Sequence, residues 1–228
     1  MSDLRWAPDG SAKAVADHIE RVVGASDAPV IAVPGGSTPV AIFAELAERG
    51  LDWSGATIML GDDRQVPRDH EASNQAKLER ALGDSGARIV ALEEGMAVPD
   101  LDLLWLGMGT DGHIASLFPQ MQAEDRPGRA VIRTVPDPLP PEAPFPRLSM
   151  NFAALTKAPR ESIIVLRGAD KKQVIERAQD CASDLPVARF LRELEQFLRL
   201  SLAEAVLTPN GRLEVLTLVV GKLVVGLS

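Results

Sequence analysis

Apolar positions along this chain follow two spacings, and the spacings divide it into elements. From Ala12 to Val23, residues Ala14, Val15, Ile19, Val22 and Val23 recur at helical intervals, which predicts an opening helix. Pro29–Val33, Ala56–Leu60, Arg88–Leu92, Leu101–Leu106 and Ser162–Leu166 are short runs read as strands, apolar and without clear alternation, as in strands buried on both faces. Between them, Val40–Arg49, Ser73–Leu82 and Lys171–Ala182 read as helices, with Ser73 or Asn74 able to cap the middle one. His113–Phe118 reads as a helical turn stopped by Pro119, and Ala130–Ile132 is strand-like. Pro136–Pro146 holds six prolines and must be a loop or extended segment, because proline sustains neither helix nor central strand.

Strands that alternate with helices predict an α/β fold, an open and mostly parallel sheet with helices on both faces. Ligands in such sheets bind outside the carboxyl ends of the strands. Three polar, glycine-rich loops, Pro34–Pro39, Gly61–Pro67 and Gly107–Gly112, follow predicted strands, so they are expected to meet on one edge. No internal repeat and no linker divides the sequence, and residues 1–228 are expected to form a single domain. Toward its end, Arg192–Ser201 reads as an amphipathic helix. Leu213–Leu227 reads as an apolar strand or hairpin turned by Pro209-Asn210-Gly211.

Composition narrows the function classes. With 46% hydrophobic and 25% charged residues, 228 residues build a core without a metal or disulfide staple. The 24 basic and 32 acidic side chains give a net charge of −8, which argues against a nucleic-acid partner, since phosphate contacts need a basic surface. A few arginines can still make a cleft attractive to an anion. The lone cysteine, Cys181, fits a reducing compartment and reads as a small buried hydrophobe. Met1–Asp9 lacks the basic and apolar regions of a signal peptide. Val215–Leu227 is broken by Lys222 and too short to span a bilayer, so the expected location is cytoplasmic, away from membranes.

Three segments can carry chemistry. In Pro34-Gly-Gly-Ser-Thr-Pro39, Gly35 and Gly36 let backbone approach a ligand, the following helix offers free N–H groups to an anion, and Ser37 adds a hydroxyl. It is neither a dinucleotide nor a P-loop fingerprint. In Asp62-Asp63-Arg64, Arg64 can grip a phosphate or carboxylate by forked hydrogen bonds, while Asp62 can act on a proton or bind a sugar hydroxyl. The carboxylates can also simply balance charge; no His or Cys stands at metal-ligand spacing. In Leu106-Gly-Met-Gly-Thr-Asp-Gly-His-Ile-Ala-Ser-Leu-Phe-Pro119, glycines surround Asp111 and His113, placing an imidazole where strand turns toward helix. His113 is suited to take a proton from water near neutral pH, and Asp111 to orient it. His18 and His70 read as surface residues.

Taken together, these segments, the second running Gly61-Asp-Asp-Arg-Gln-Val-Pro67 with Ser73-Asn74, resemble the 6-phosphogluconolactonase family, and Arg147-Leu-Ser-Met150 and Gly168-Ala-Asp-Lys171 are similar to its later signatures. The resemblance runs from Ala12 to about Leu191. It implies a Rossmann-like fold shared with glucosamine-6-phosphate deaminases, and hydrolysis of 6-phospho-D-glucono-1,5-lactone to 6-phosphogluconate in the oxidative pentose phosphate pathway. It implies no metal or organic cofactor, a phosphorylated sugar lactone as partner, and a monomer or small homo-oligomer. On this reading His113 is the general base, Asp111 its orienting carboxylate, and backbone N–H groups of the glycine loops receive the oxyanion. Gly35, Gly36, Ser37, Arg64, Arg147 and Lys171 cradle the phosphate, Asp62 binds substrate, and Arg133 is a further cation without an assigned role.

Deaminase relatives usually read Met-Asp-Glu-Tyr in the second segment and Gly-His-Ile-Ala-Phe-Asn-Glu-Pro in the third. Arg64 and Ser116-Leu117-Phe118 stand in their place here and favour the lactonase. The chain departs from the family pattern at Asp63, where Glu is more usual, and at Thr110, where Pro is common. Residues 192–228 do not resemble the usual ending. The competing readings are a sugar-phosphate isomerase or deaminase using Asp62 as base, and a non-catalytic sugar-phosphate sensor. The latter normally carries a DNA-binding helix-turn-helix, for which the residues before Ala12 leave no room.

Overall fold

A computed structural model describes residues 5–6, 11–36, 38–119, 121, 127–139, 141, 144–178, 183–194 and 224–227. Seven strands form one sheet in which every pairing is parallel. In chain order they are β1 (Arg5–Trp6), β2 (Val30–Val33), β3 (Thr57–Leu60), β5 (Arg88–Val90), β6 (Leu103–Leu106), β9 (Ser162–Leu166) and β10 (Val224–Leu227). A second, antiparallel sheet holds β4 (Asp62–Arg64), β7 (Val131–Thr134) and β8 (Arg147–Met150). The helices are α1 (Ala12–Val23), α2 (Thr38–Glu48), α3 (Asn74–Leu82), α4 (Phe152–Lys157) and α5 (Ala169–Ala178), and residues 186–194 are helical too.

The apolar runs explain the layering. All four residues of β6 and all five of β9 are buried, as central parallel strands require. Helix α1 turns Val15, Ala16, Ile19, Val22 and Val23 inward and starts at Ser11, whose side chain accepts from the Ala14 N–H. Each large apolar side chain so buried contributes roughly 1.5–3 kcal/mol.

Strand order positions the site. The main sheet runs β1-β10-β9-β6-β2-β3-β5. From β2 the chain builds outward through β3 and β5, then returns to the other side of β2 with β6 and builds outward again. The loops that leave β2 and β6 therefore diverge, opening a crevice at the carboxyl ends of adjacent strands. As the apolar runs predict, the sheet is open and the fold is Rossmann-like α/β.

Three local expectations are corrected. Asp62–Arg64 is a strand rather than a loop, because pairing with β8 through Asp62–Ser149, Asp63–Leu148 and Arg64–Arg147 overrides the poor strand propensity of its carboxylates. His113–Phe118 is not helical. Met108 bridges to Ile114, Ile114 to Leu117, and Ala115 takes a positive φ of 47°, so the segment folds back on itself as a tight turn. Arg133 lies within β7 rather than after a strand. The Pro136–Pro146 segment has no helix or strand among its described residues.

Strand β10 falls inside the predicted apolar segment, and its backbone lies between β1 and β9. Cys181 and 195–201 lie outside the described residues, as does the Pro209–Gly211 turn. Among the described residues no helix is long and apolar enough to cross a membrane.

Candidate active site

A cleft of about 280 Å³ opens where the strand order predicts it. Its walls bring together Gly35 and Gly36 after β2, Asp62 and Arg64 on β4, His113 after β6, Arg147 on β8 and Lys171 in the first turn of α5. Ser37 lies outside the described residues. Arg133 is exposed, bonds through Nε to Gln65 Oε1 at 2.9 Å, and does not line the cleft.

The β6 loop builds a histidine–carboxylate pair. Gly109 N–H donates to the His113 carbonyl and Gly112 N–H to that of Gly109, which closes the loop and turns the imidazole toward Asp111. His113 Nδ1 lies 2.6 Å from Asp111 Oδ1, and the His113 backbone N–H donates to the same oxygen at 3.2 Å. Burial acts to raise the Asp111 carboxyl, but the His113 hydrogen bond and charge, with backbone N–H donation, outweigh it and hold it below the ordinary range. An ionised carboxylate only accepts, so the imidazole proton sits on Nδ1 and the lone pair is left on Nε2. Phe118 closes one side of this pair, its ring centroid 4.4 Å from that of His113.

Opposite stands a cationic wall. Arg64 and Arg147 are direct cross-strand partners in the β4–β8 ladder, where like charges repel. Burial lowers the Arg147 guanidinium pKa, and the neighbouring charge of Arg64 lowers it further. Arg147 also lies over Phe118, 5.4 Å from its ring centroid, so the ring that packs against the imidazole also meets this guanidinium. Lys171 is likewise pushed down by burial, against the attraction of Asp111. Such a concentration of half-buried positive charge is matched to a multiply charged anion.

The two acidic residues of β4 have separate tasks. Asp63 accepts from the backbone N–H groups of Arg64, Asn74 and Gln75 and so ties β4 to the start of α3. Burial raises its carboxyl, with Asp62 adding to the effect and the three N–H groups opposing it. Asp62 reaches the cleft and accepts from the hydroxyl of Ser116, which is itself wholly buried. The Ser116 N–H donates to Ser149 Oγ on β8 at 3.2 Å, which locks the histidine loop to both arginine strands.

One expectation about donors changes here. Gly36, Gly109 and Gly112 do not offer free N–H groups to an oxyanion, because Asn74 Oδ1, the His113 carbonyl and the Gly109 carbonyl already accept from them. Asn74, Gly109, Ser116 and Phe118 fall within the segments that carry the resemblance, but sequence reasoning gave none of them a role of its own in the site. Asn74 carried a signal as a possible helix cap, but Ser73 takes that role and frees the Asn74 side chain for the cleft. Among the described residues no group of three or more His, Cys, Asp or Glu is arranged to hold a metal ion.

An open parallel α/β sheet with a histidine–carboxylate pair and clustered cations at its switch point defines a protein that binds and can act on small anions. Residues 7–97 and 86–198 match the family described as glucosamine-6-phosphate isomerases/6-phosphogluconolactonase, and the chain belongs to that family. It is 32% identical over 197 residues to a 6-phosphogluconolactonase of Neisseria meningitidis (75% of this chain, 83% of that protein). It is 31% identical over 219 residues to one of Rhizobium meliloti (81% and 90%). Among solved structures, the 6-phosphogluconolactonase of Trypanosoma brucei superposes with a TM-score of 0.75 at 22% identity, covering 100% of this chain and 97% of that one. At that identity the likeness speaks for the fold.

Proposed function

We propose that this protein hydrolyses 6-phospho-D-glucono-1,5-lactone to 6-phospho-D-gluconate, without a metal or organic cofactor, as the lactonase step of the oxidative pentose phosphate pathway in the cytoplasm. One observation carries the reading: a carboxylate-oriented imidazole and the cations Arg64, Arg147 and Lys171 line a single cleft. The relatives named as lactonases support the same substrate.

The phosphate is held by the cations and the Gly35-Gly36-Ser37 loop, which leaves the lactone ring toward His113. Nε2 takes a proton from water as the water oxygen bonds to carbonyl C1. The tetrahedral oxyanion then collapses, the bond between C1 and the ring oxygen breaks, and the imidazolium proton passes to that oxygen. The new carboxylic acid loses its proton to solvent. Asp111 keeps Nδ1 protonated throughout, so that Nε2 remains the accepting atom. Asp62, already bonded to Ser116, is better suited to receive a sugar hydroxyl than to serve as the base of a deaminase.

The test is the decay of freshly generated lactone, corrected for its spontaneous hydrolysis, with wild type and His113→Ala side by side. A positioned base contributes about 10²–10⁴-fold, so the variant should lose that factor in kcat and retain a weak residue of activity. Equal rates would remove His113 from its role, and no acceleration by folded wild type would end the lactonase reading.

A further inference from the structure

Asn74 is the residue at which the glycine loop and the arginine wall meet. It is 3% exposed and opens α3, next to the capping Ser73. Its Oδ1 accepts from Arg64 Nη1 at 2.7 Å and from the Gly36 N–H at 3.3 Å, and two donors on one atom fix which end of the amide is oxygen. Arg64 Nη1 also donates to the Ala72 carbonyl at 3.1 Å, so the guanidinium is held from one side. The amide lies against Gly35 so closely that any Cβ there would overlap it.

The chemical type matters as much as the position. A neutral amide oxygen orients a guanidinium without cancelling its charge, whereas a carboxylate in its place would form an ion pair and compete with the substrate anion. Asp63, the carboxylate nearest in sequence to Arg64, is occupied by three backbone N–H groups.

We propose that Asn74 is a positioning and specificity residue: it fixes Arg64 and the Gly35-Gly36 backbone in one arrangement and leaves the Arg64 charge available, so that the cleft selects phosphorylated over free ligands. This rests on the phosphate-binding part of the function proposed above. It does not depend on the catalytic step.

The experiment compares wild type, Asn74→Ala and Asn74→Asp by calorimetric binding of 6-phosphogluconate, by KM and kcat on the phospholactone, and by Tm. Losing a hydrogen bond to a charged group corresponds to about tenfold or more in binding. Asn74→Ala should therefore bind product and substrate at least about tenfold more weakly, with kcat changed far less. Asn74→Asp keeps the acceptor but adds charge, and should weaken binding as much or more while remaining folded. A purely structural role predicts instead that Asp rescues what Ala loses. Rescue by Asp, or wild-type binding in a folded Ala variant, overturns the proposal. If wild type binds 6-phosphogluconate but hydrolyses no lactone, the catalytic reading fails, and the binding comparison still decides the role of Asn74. If wild type binds no 6-phosphogluconate, both fall.

Discussion

At His113 the imidazole lies against the backbone of its own loop, and Gly109 is what permits it. A Cβ on Gly109 would overlap Cε1 and Nδ1 of His113 and Oδ1 of Asp111. Gly109 is not among the glycines with left-handed backbone, so alanine would meet no conformational strain and its effect would be confined to the pair. Gly109→Ala should thus lower kcat toward the His113→Ala level, a loss of up to about 10²–10⁴-fold, with Tm nearly unchanged. Retained kcat in that variant would mean the imidazole can do its work from another position. Residue identities of this kind are partly legible in sequence. Asp111 and His113 announce themselves by their chemistry and glycine setting, and Arg64 by its charge. Gly109 and Asn74 do not, because what they do depends on which atoms the fold brings within contact of them.

Among the elements, the strands of the main sheet are the most legible, because β2, β3, β6 and β9 are buried on both sides and their apolar runs have no other explanation. The turn at 113–118 misleads for a definite reason. Ile114, Leu117 and Phe118 stand at i, i+3 and i+4 and imitate a helical face, while the bonds that forbid the helix run from Ser116 to Asp62 and Ser149, far away in sequence. His18 misleads similarly: it reads as a surface residue of α1, yet its Nε2 lies 3.3 Å from Glu161 Oε1, beside Arg21 Nη2 at 3.4 Å from the same oxygen. This contact joins α1 to the start of β9. Burial tends to raise the Glu161 carboxyl, but the hydrogen bonds and charges of His18 and Arg21 prevail and lower it below its ordinary 4.5. A depressed carboxyl binds fewer protons folded than unfolded, so its contribution is full above about pH 4.5 and disappears as pH falls through the lowered value. Glu161→Gln should lower Tm by roughly 2–4 °C near neutral pH, as expected for about 1 kcal/mol in a chain of this size. The gap to wild type should narrow as pH is lowered from neutral to below about 4.5. A gap that stays constant over that range would show that Glu161 contributes by packing rather than by charge.

For the whole molecule, the net charge of −8 and the cationic cleft make opposite demands on an anionic substrate. The global charge repels it, and added salt would relieve that repulsion and raise kcat/KM. The cleft attracts it, and added salt would weaken that attraction and lower kcat/KM. Geometry decides between them. Arg64, Arg147 and Lys171 line one half-enclosed space, and the carboxylates closest to them are already taken by internal donors: Asp62 by Ser116, Asp63 by three backbone N–H groups, Asp111 by His113. Charges outside the cleft lie in water, where screening over about 10 Å at 0.1 M salt already removes most of their reach. The local field should therefore win. kcat/KM on the phospholactone is expected to fall several-fold between about 0.02 M and about 0.3 M salt, chiefly through KM, while a lactone without phosphate shows no comparable trend. A rise with salt would mean that the substrate responds to the acidic surface before it reaches the cleft. In that case the clustered cations serve to hold the phosphate once bound, and do nothing to draw it in.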